Sequence, residues 1–280
     1  LTEQRQYERA NQLFEQCLKL DGNDVKTLNS YANSLTEQRQ YERANQLFEK
    51  CLKLDRNNVR VLNSYANALV QQSNYEYANE LFEQCLKLDG NNIPTLNSYA
   101  NALAEQRHYK RANELFKKFL TIQSNDYTRF RFSRSLENVG NYPQALDVLE
   151  KIDLDSLPPY HANVIRLSLG RLCYRLQEPG HGDTYFQAAI NHSEDRDRSH
   201  LHVMQSLLAV DPDSPEAIDH FRAITTNSLH YQKAMKELGL HSNQQTVYGL
   251  FSGQEASIKD TENLYRAIYH KIANEVAVLK

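Results

Sequence analysis

The sequence predicts an all-α protein, an α-solenoid of about six to seven helix pairs followed by C-terminal helices. Three observations carry that prediction. The chain repeats itself every 34 residues, each period holds two apolar stripes of helical spacing, and turn-forming residues are scarce. Residues 1–34 (LTEQRQYERANQLFEQCLKLDGNDVKTLNSYANS) and 35–68 agree at roughly 28 of 34 places, and residues 69–102 match the first copy at roughly 24. A fourth unit opens with LAEQRHYKRANELFKKFL at Leu103, with no gap. Nine Gly and seven Pro in 280 residues are about half the usual share, too few for the hairpins of an all-β fold.

Within one period, Leu28, Tyr31, Ala32 and Leu35 fall at i, i+3, i+4 and i+7, one face of a first helix. After Glu37–Gln40 comes a second stripe, Tyr41, Ala44, Leu47, Phe48, Cys51 and Leu52. It stops at Leu54-Asp55-Arg56-Asn57-Asn58, where Asn and Asp favour turns and cap the next helix. Gly22 and Gly90 stand at the Arg56 place, as suits a helix end, and Pro94 opens its helix, where its missing N–H costs least.

A 34-residue helical pair of this kind resembles the tetratricopeptide repeat (TPR). The family's small–small–aromatic packing set is matched by Ala32/Ala44/Phe48, Ala66/Ala78/Phe82 and Ala100/Ala112/Phe116, and its turn-closing Tyr by Tyr7, Tyr41, Tyr75 and Tyr109. Two places depart from the family pattern. The glycine before that Tyr is replaced by Arg39, Ser73 and Arg107, and the proline after the second helix by Gly22, Arg56 and Gly90. The resemblance implies a right-handed superhelix whose first helices line a concave groove.

The pattern then decays. Residues 126–159 keep Phe132, Ser133, Leu136, Gly140, Tyr142, Ala145 and Leu149; residues 163–196 keep Leu169, Gly170, Cys173, Phe186 and Ala189, with an abnormal turn expected at Glu178–Gly182. Residues 199–224 suit a seventh, degenerate pair. We therefore expect regular repeats over 1–126 with the first truncated, degenerate repeats over 127–227, and C-terminal helices over 228–280. In that last stretch Ser228–Leu238 reads as a short helix and Asp260–Lys280 as a long amphipathic one, either capping the solenoid or linking to another domain. Both ends read as cut from a longer polypeptide.

Composition excludes several function classes. Lys and Arg number 32 against 35 Asp and Glu, so no global charge favours nucleic acid or an anionic membrane. Mean hydropathy is −0.69, with no run of about 20 apolar residues to span a bilayer. No nucleophile elbow, phosphate loop or H-E-x-x-H motif occurs, so neither enzyme activity nor a cofactor is expected.

The candidate site is a ladder of asparagines opposite the apolar stripe of the first helices. Asn29 and Asn33 lie one turn apart, and the pair recurs as Asn63/Asn67 and Asn97/Asn101. An amide donates and accepts, matching a peptide bond whatever the side chain. The ladder either holds an extended peptide or solvates an open face duplicated with the repeats. In repeat five the matching places are Phe130 and Arg134, flanked by Arg129 and Arg131, and repeat six supplies Arg171 and Arg175. Guanidinium groups there suit carboxylates, hence an acidic partner.

Cys17, Cys51 and Cys85 recur once per period on the inner face of the second helix, and Cys173 sits similarly on a first helix. All four are expected as core thiols, which suits a reducing, cytoplasmic setting. His200 and His202, with His192 and the Glu194–Asp197 run, resemble metal ligands, but alternate residues of a helix point apart, so no metal site is expected there.

The reading is a protein–protein interaction scaffold that takes a peptide or protein partner in the groove. As an alternative, similar TPR segments stand beside CHAT proteases and signalling NTPases in bacterial proteins. That likeness implies a regulatory or sensor arm acting on further domains of the same polypeptide.

Overall fold

A computed structural model describes residues 2–238, with side chains from residue 6 onward; the amphipathic stretch Asp260–Lys280 lies outside them. Among the described residues there are fourteen α-helices and no strand. The chain divides into two compact units, Leu1–Gly140 and Asn141–Lys280. The first holds α1 (Thr2–Leu20), α2 (Val25–Glu37), α3 (Tyr41–Leu54), α4 (Val59–Gln71), α5 (Tyr75–Leu88), α6 (Ile93–Glu105), α7 (Tyr109–Ile122) and α8 (Asp126–Asn138). The second holds α9 (Tyr142–Glu150), a 3-10 turn (Leu154–Ser156), α10 (Pro159–Arg175), α11 (Pro179–Asn191), α12 (Arg196–Leu208), α13 (Pro215–Arg222) and α14 (Leu229–Glu237).

Each first helix in the first unit starts on a side-chain cap. Asp24, Asn58, Asn92 and Asn125 accept the backbone N–H of Thr27, Val61, Thr95 and Thr128, satisfying donors that a helix start leaves open. The first three caps are 34 residues apart and the fourth only 33, so repeat four is one residue short, between Tyr109 and Asn125.

First and second helices meet through a hairpin closed by a backbone bond five residues back, as in Gln40 N–H to Leu35 O and Asn74 N–H to Leu69 O. This motif needs one residue in the left-handed region, and Arg39, Ser73 and Arg107 occupy it at φ 59°, 58° and 61°. These are the places where the resemblance calls for glycine. Each of Arg39→Gly, Ser73→Gly and Arg107→Gly should stabilise the first unit by about 0.5–1 kcal/mol, relief of left-handed strain outweighing glycine's extra freedom in the unfolded chain. Urea titration of the triple variant checks this, and an unchanged midpoint would contradict it.

The core of the first unit follows the period. Ala32, Ala44 and Phe48 are fully buried, as are Ala66, Ala78 and Phe82, then Ala100, Ala112 and Phe116. The second-helix Phe stacks on the Tyr of the following first helix: Phe14 on Tyr31 at 5.3 Å, Phe48 on Tyr65 at 5.0 Å and Phe82 on Tyr99 at 5.1 Å. That Tyr also donates to a second-helix carboxylate, Tyr31 to Glu15 at 2.9 Å and Tyr99 to Glu83 at 3.0 Å. Burial pushes Tyr65 up to about 12 and raises Tyr99 further.

The cysteines need one correction. Cys51 and Cys85 are buried against Val25 O and Val59 O of the first helix in their own pair, and burial pushes each thiol up to about 11. Cys17, expected in the core, is exposed. No described helix covers that face of α1.

A second repeated interface joins neighbouring pairs. Asn11, Asn45 and Asn79 on the second helices each exchange amide hydrogen bonds with the residue ending the next first helix, Gln38, Gln72 and Gln106, at 3.0–3.3 Å. Gln38 also donates to Ser34 Oγ at 3.1 Å. In repeat five Val139 stands at that helix end, and two buried atoms have no partner: Asn113 Oδ1 and Ser135 Oγ. Val139→Gln should restore both bonds, since Val139 is 41% exposed and leaves room. We expect a gain of about 1–2 kcal/mol by urea titration, reduced when Asn113→Ala is added.

In the second unit the expected abnormal turn is displaced. Gln177 takes the left-handed position at φ 63°, and Pro179–Gly182 form the first turn of α11. Two glycines allow α10 and α11 to meet closely: a Cβ on Gly170 would lie 2.5 Å from the Phe186 ring, and one on Gly182 2.5 Å from the Tyr174 ring. Beyond them Leu201, Met204, Leu207 and Phe221 form a core onto which α14 folds Tyr231, Ala234 and Met235. Phe221 stacks on Tyr231 at 5.1 Å. Over its described residues the C-terminal segment thus covers apolar surface.

Candidate functional site

In the first unit α2 packs on α4, α4 on α6 and α6 on α8, whereas α1, α3, α5 and α7 have at most marginal contact with one another. The first helices therefore line the inner side of the stack. The ladder asparagines ride on these helices, but their environments differ.

Asn33 and Asn67 are half-buried, and Asn67 Nδ2 donates to Asn63 O one turn back at 2.9 Å. Asn29, expected on an open face, is only 6% exposed. The contact between successive first helices closes over it. The side-chain oxygens of Asn29 and Asn63 are buried without a hydrogen-bond partner. Asn97 and Asn101 already have partners on α8: Thr128 Oγ1 donates to Asn97 at 3.2 Å and Arg131 Nε to Asn101 at 2.9 Å. Arg131 also reaches Glu105 at 3.7 Å. Sequence reasoning missed these contacts, because a helix-by-helix pattern does not show which side chain reaches the next repeat.

The arginines likewise separate. Arg129 pairs with Asp126 at 2.6 Å, and exposed Arg134 lies over the Phe130 ring at 6.0 Å. Within the second unit, Arg171 is half-buried on α10. Arg175 sits over the Tyr142 ring and donates to Ala209 O and Val210 O, capping the carbonyl end of α12. Both of its terminal nitrogens serve that cap, while Nε is buried without a partner.

The histidine cluster rearranges too. His200 faces His220 on α13, their Nδ1 atoms 3.0 Å apart, while His202 turns to Gln205. Burial, with the neighbouring His200, pushes His220 down to about 4, so the pair is held neutral near pH 7.

Stacked helix pairs that align their first helices on one face define a helical-repeat solenoid. Two family models, both described as tetratricopeptide repeat, match residues 25–56 and 59–92. Residues 25–92 therefore carry two tetratricopeptide repeats.

Solved structures agree on the fold. PilF of Pseudomonas aeruginosa is 19% identical, with a TM-score of 0.56, 78% of this chain and all of that one being covered. YrrB, described as a TPR protein with an unusual peptide-binding site, is 21% identical with a TM-score of 0.57, covering 69% of this chain and 97% of that one. The C-terminal part of a TPR repeat-containing protein from Cytophaga hutchinsonii is 13% identical with a TM-score of 0.63, covering 89% and 96%. No curated protein matches the sequence.

Proposed function

We propose that this chain is a binding scaffold and not a catalyst, and that the first-helix face of its first unit holds an extended segment of a partner protein. TPR repeats support the scaffold role, and the peptide site named for YrrB supports this kind of partner. The observation that carries the reading is the matched pair of amides on three adjoining first helices, Asn29/Asn33, Asn63/Asn67 and Asn97/Asn101.

Helices in contact lie about 8–10 Å apart, and an extended chain rises about 3.3 Å per residue. One repeat therefore meets the partner backbone every third residue or so, and the amides recur at that interval. A buried amide oxygen without a donor costs about 1–3 kcal/mol, and an arriving peptide N–H would satisfy the half-buried Asn63 once the amide turns. Exposed Arg134 at the α8 end favours a carboxylate on the partner. No described helix is long and apolar enough to cross a membrane. Buried free thiols suit the cytoplasm, which we take as the setting.

The test uses Asn33→Ala with Asn67→Ala, because Asn101 is already held by Arg131. A partner is captured from source-cell lysate with the wild-type chain, identified, and its affinity measured for both proteins. We expect at least tenfold weaker binding with an unchanged melting temperature. Equal affinity would move the site elsewhere, and parallel loss of both would make the amides structural.

A further inference from the structure

We propose that Cys173, Glu178 and His181 in the second unit form a binding site for a zinc-like divalent cation, which would tie α10 to α11. Among the described residues these three bring a thiol, a carboxylate and an imidazole together, their ligand atoms all within 4.8 Å of one another. The set joins two elements. Cys173 stands near the end of α10, Glu178 precedes α11, and His181 lies in the first turn of α11.

The donor types and spacing fit zinc. Tetrahedral zinc, with bonds of about 2.0–2.3 Å, puts its ligand atoms roughly 3.3–3.8 Å apart. His181 Nδ1 and Glu178 Oε2 already stand 3.6 Å apart. Both side chains are about half exposed, so they can close on an ion by rotation, whereas the Cys173 thiol is fixed at the buried bottom of the site. A thiolate, a carboxylate and a neutral imidazole carry two negative charges, matching a divalent ion. Thiolate and imidazole together select zinc over magnesium or calcium.

The surroundings also suit a cation. Glu178 and Glu150 bring negative charge close to the Cys173 thiol. Glu150 accepts a hydrogen bond from Tyr185 at 3.3 Å, and the Tyr185 ring packs on the His181 ring at 5.0 Å. Water can fill a fourth position. On binding, the S–H bond breaks, a zinc–sulfur bond forms and the proton goes to solvent, so affinity falls as pH falls.

The experiment titrates the full chain with cobalt(II), which reports thiolate ligation through its charge-transfer absorption, and follows the melting temperature with zinc. A Cys17→Ser background removes the one exposed thiol. We expect the thiolate band to saturate at a single equivalent, with a melting temperature that rises with zinc concentration. Both signals should vanish in His181→Ala, an exposed site where the fold is kept, and in Cys173→Ser, and should persist in Cys51→Ser and Cys85→Ser. Absence of a thiolate band, or a band that survives His181→Ala, overturns the site as an adventitious ion only.

Discussion

Phe82→Ala is expected to destabilise the first unit by about 3–5 kcal/mol, the range for truncating a buried Phe. Phe82 is fully buried, as are Ala66 and Ala78 of the same pair, and its ring stacks on Tyr99 of the following pair. Truncation therefore opens a cavity within one pair and removes the ring contact to the next. A solenoid derives its stability from such neighbour contacts, so the loss should also uncouple the repeats on either side. Phe14 occupies the equivalent place but is only half-buried, and Phe14→Ala should cost visibly less. Urea titration with hydrogen exchange of the α5 and α6 amides measures both effects. A loss under about 1 kcal/mol for Phe82→Ala would refute the packing described.

Gly170→Ala separates two opposed expectations. Helix propensity alone predicts a gain of about 1 kcal/mol, because glycine is a poor helix former. Steric contact predicts the reverse: the new methyl would lie 2.5, 2.6 and 2.9 Å from three atoms of the Phe186 ring. That ring is 1% exposed and wedged beside Tyr174, so it has little room to retreat. We expect a net loss of about 1–3 kcal/mol, the usual cost of overpacking. Thermal unfolding of the chain decides the sign, and a raised melting temperature would show that α10 and α11 can separate without penalty.

Much of the fold was legible in residue order. The period, the Tyr at each hairpin and the Ala/Ala/Phe set are local patterns, and each copy repeats them. Arg39, Ser73 and Arg107 could be recognised as sitting where glycine belongs, and their positive φ values agree. Three features escaped. Shortening of repeat four by one residue shows only when the capping residues are aligned. The Asn–Gln pairs were visible as a constant separation of 27 residues, yet exposed polar types gave no reason to look for them. Cys17 looked like Cys51, but burial depends on which helix packs above it.

The candidate site was legible in outline only. Sequence spacing brought the asparagines onto successive first helices. It did not show that Asn29 is covered, that Asn97 and Asn101 bond to α8, or that Arg175 closes the end of α12. Those outcomes are set by contacts between neighbouring helices, which no single-helix pattern encodes.

The Asn–Gln pairs bear on how such a chain can change length. The first three joints between neighbouring pairs, α1 to α2, α3 to α4 and α5 to α6, use the same parts: a Phe on a Tyr, and an Asn facing a Gln. Removing one whole period would bring Asn11 opposite Gln72 and Phe14 opposite Tyr65, parts identical to those they now meet. The joints are interchangeable, so copies can be gained or lost by unequal exchange without creating an unfamiliar interface. Under the function proposed above, copy number would set the span of partner held, while the chemistry of each contact stays the same.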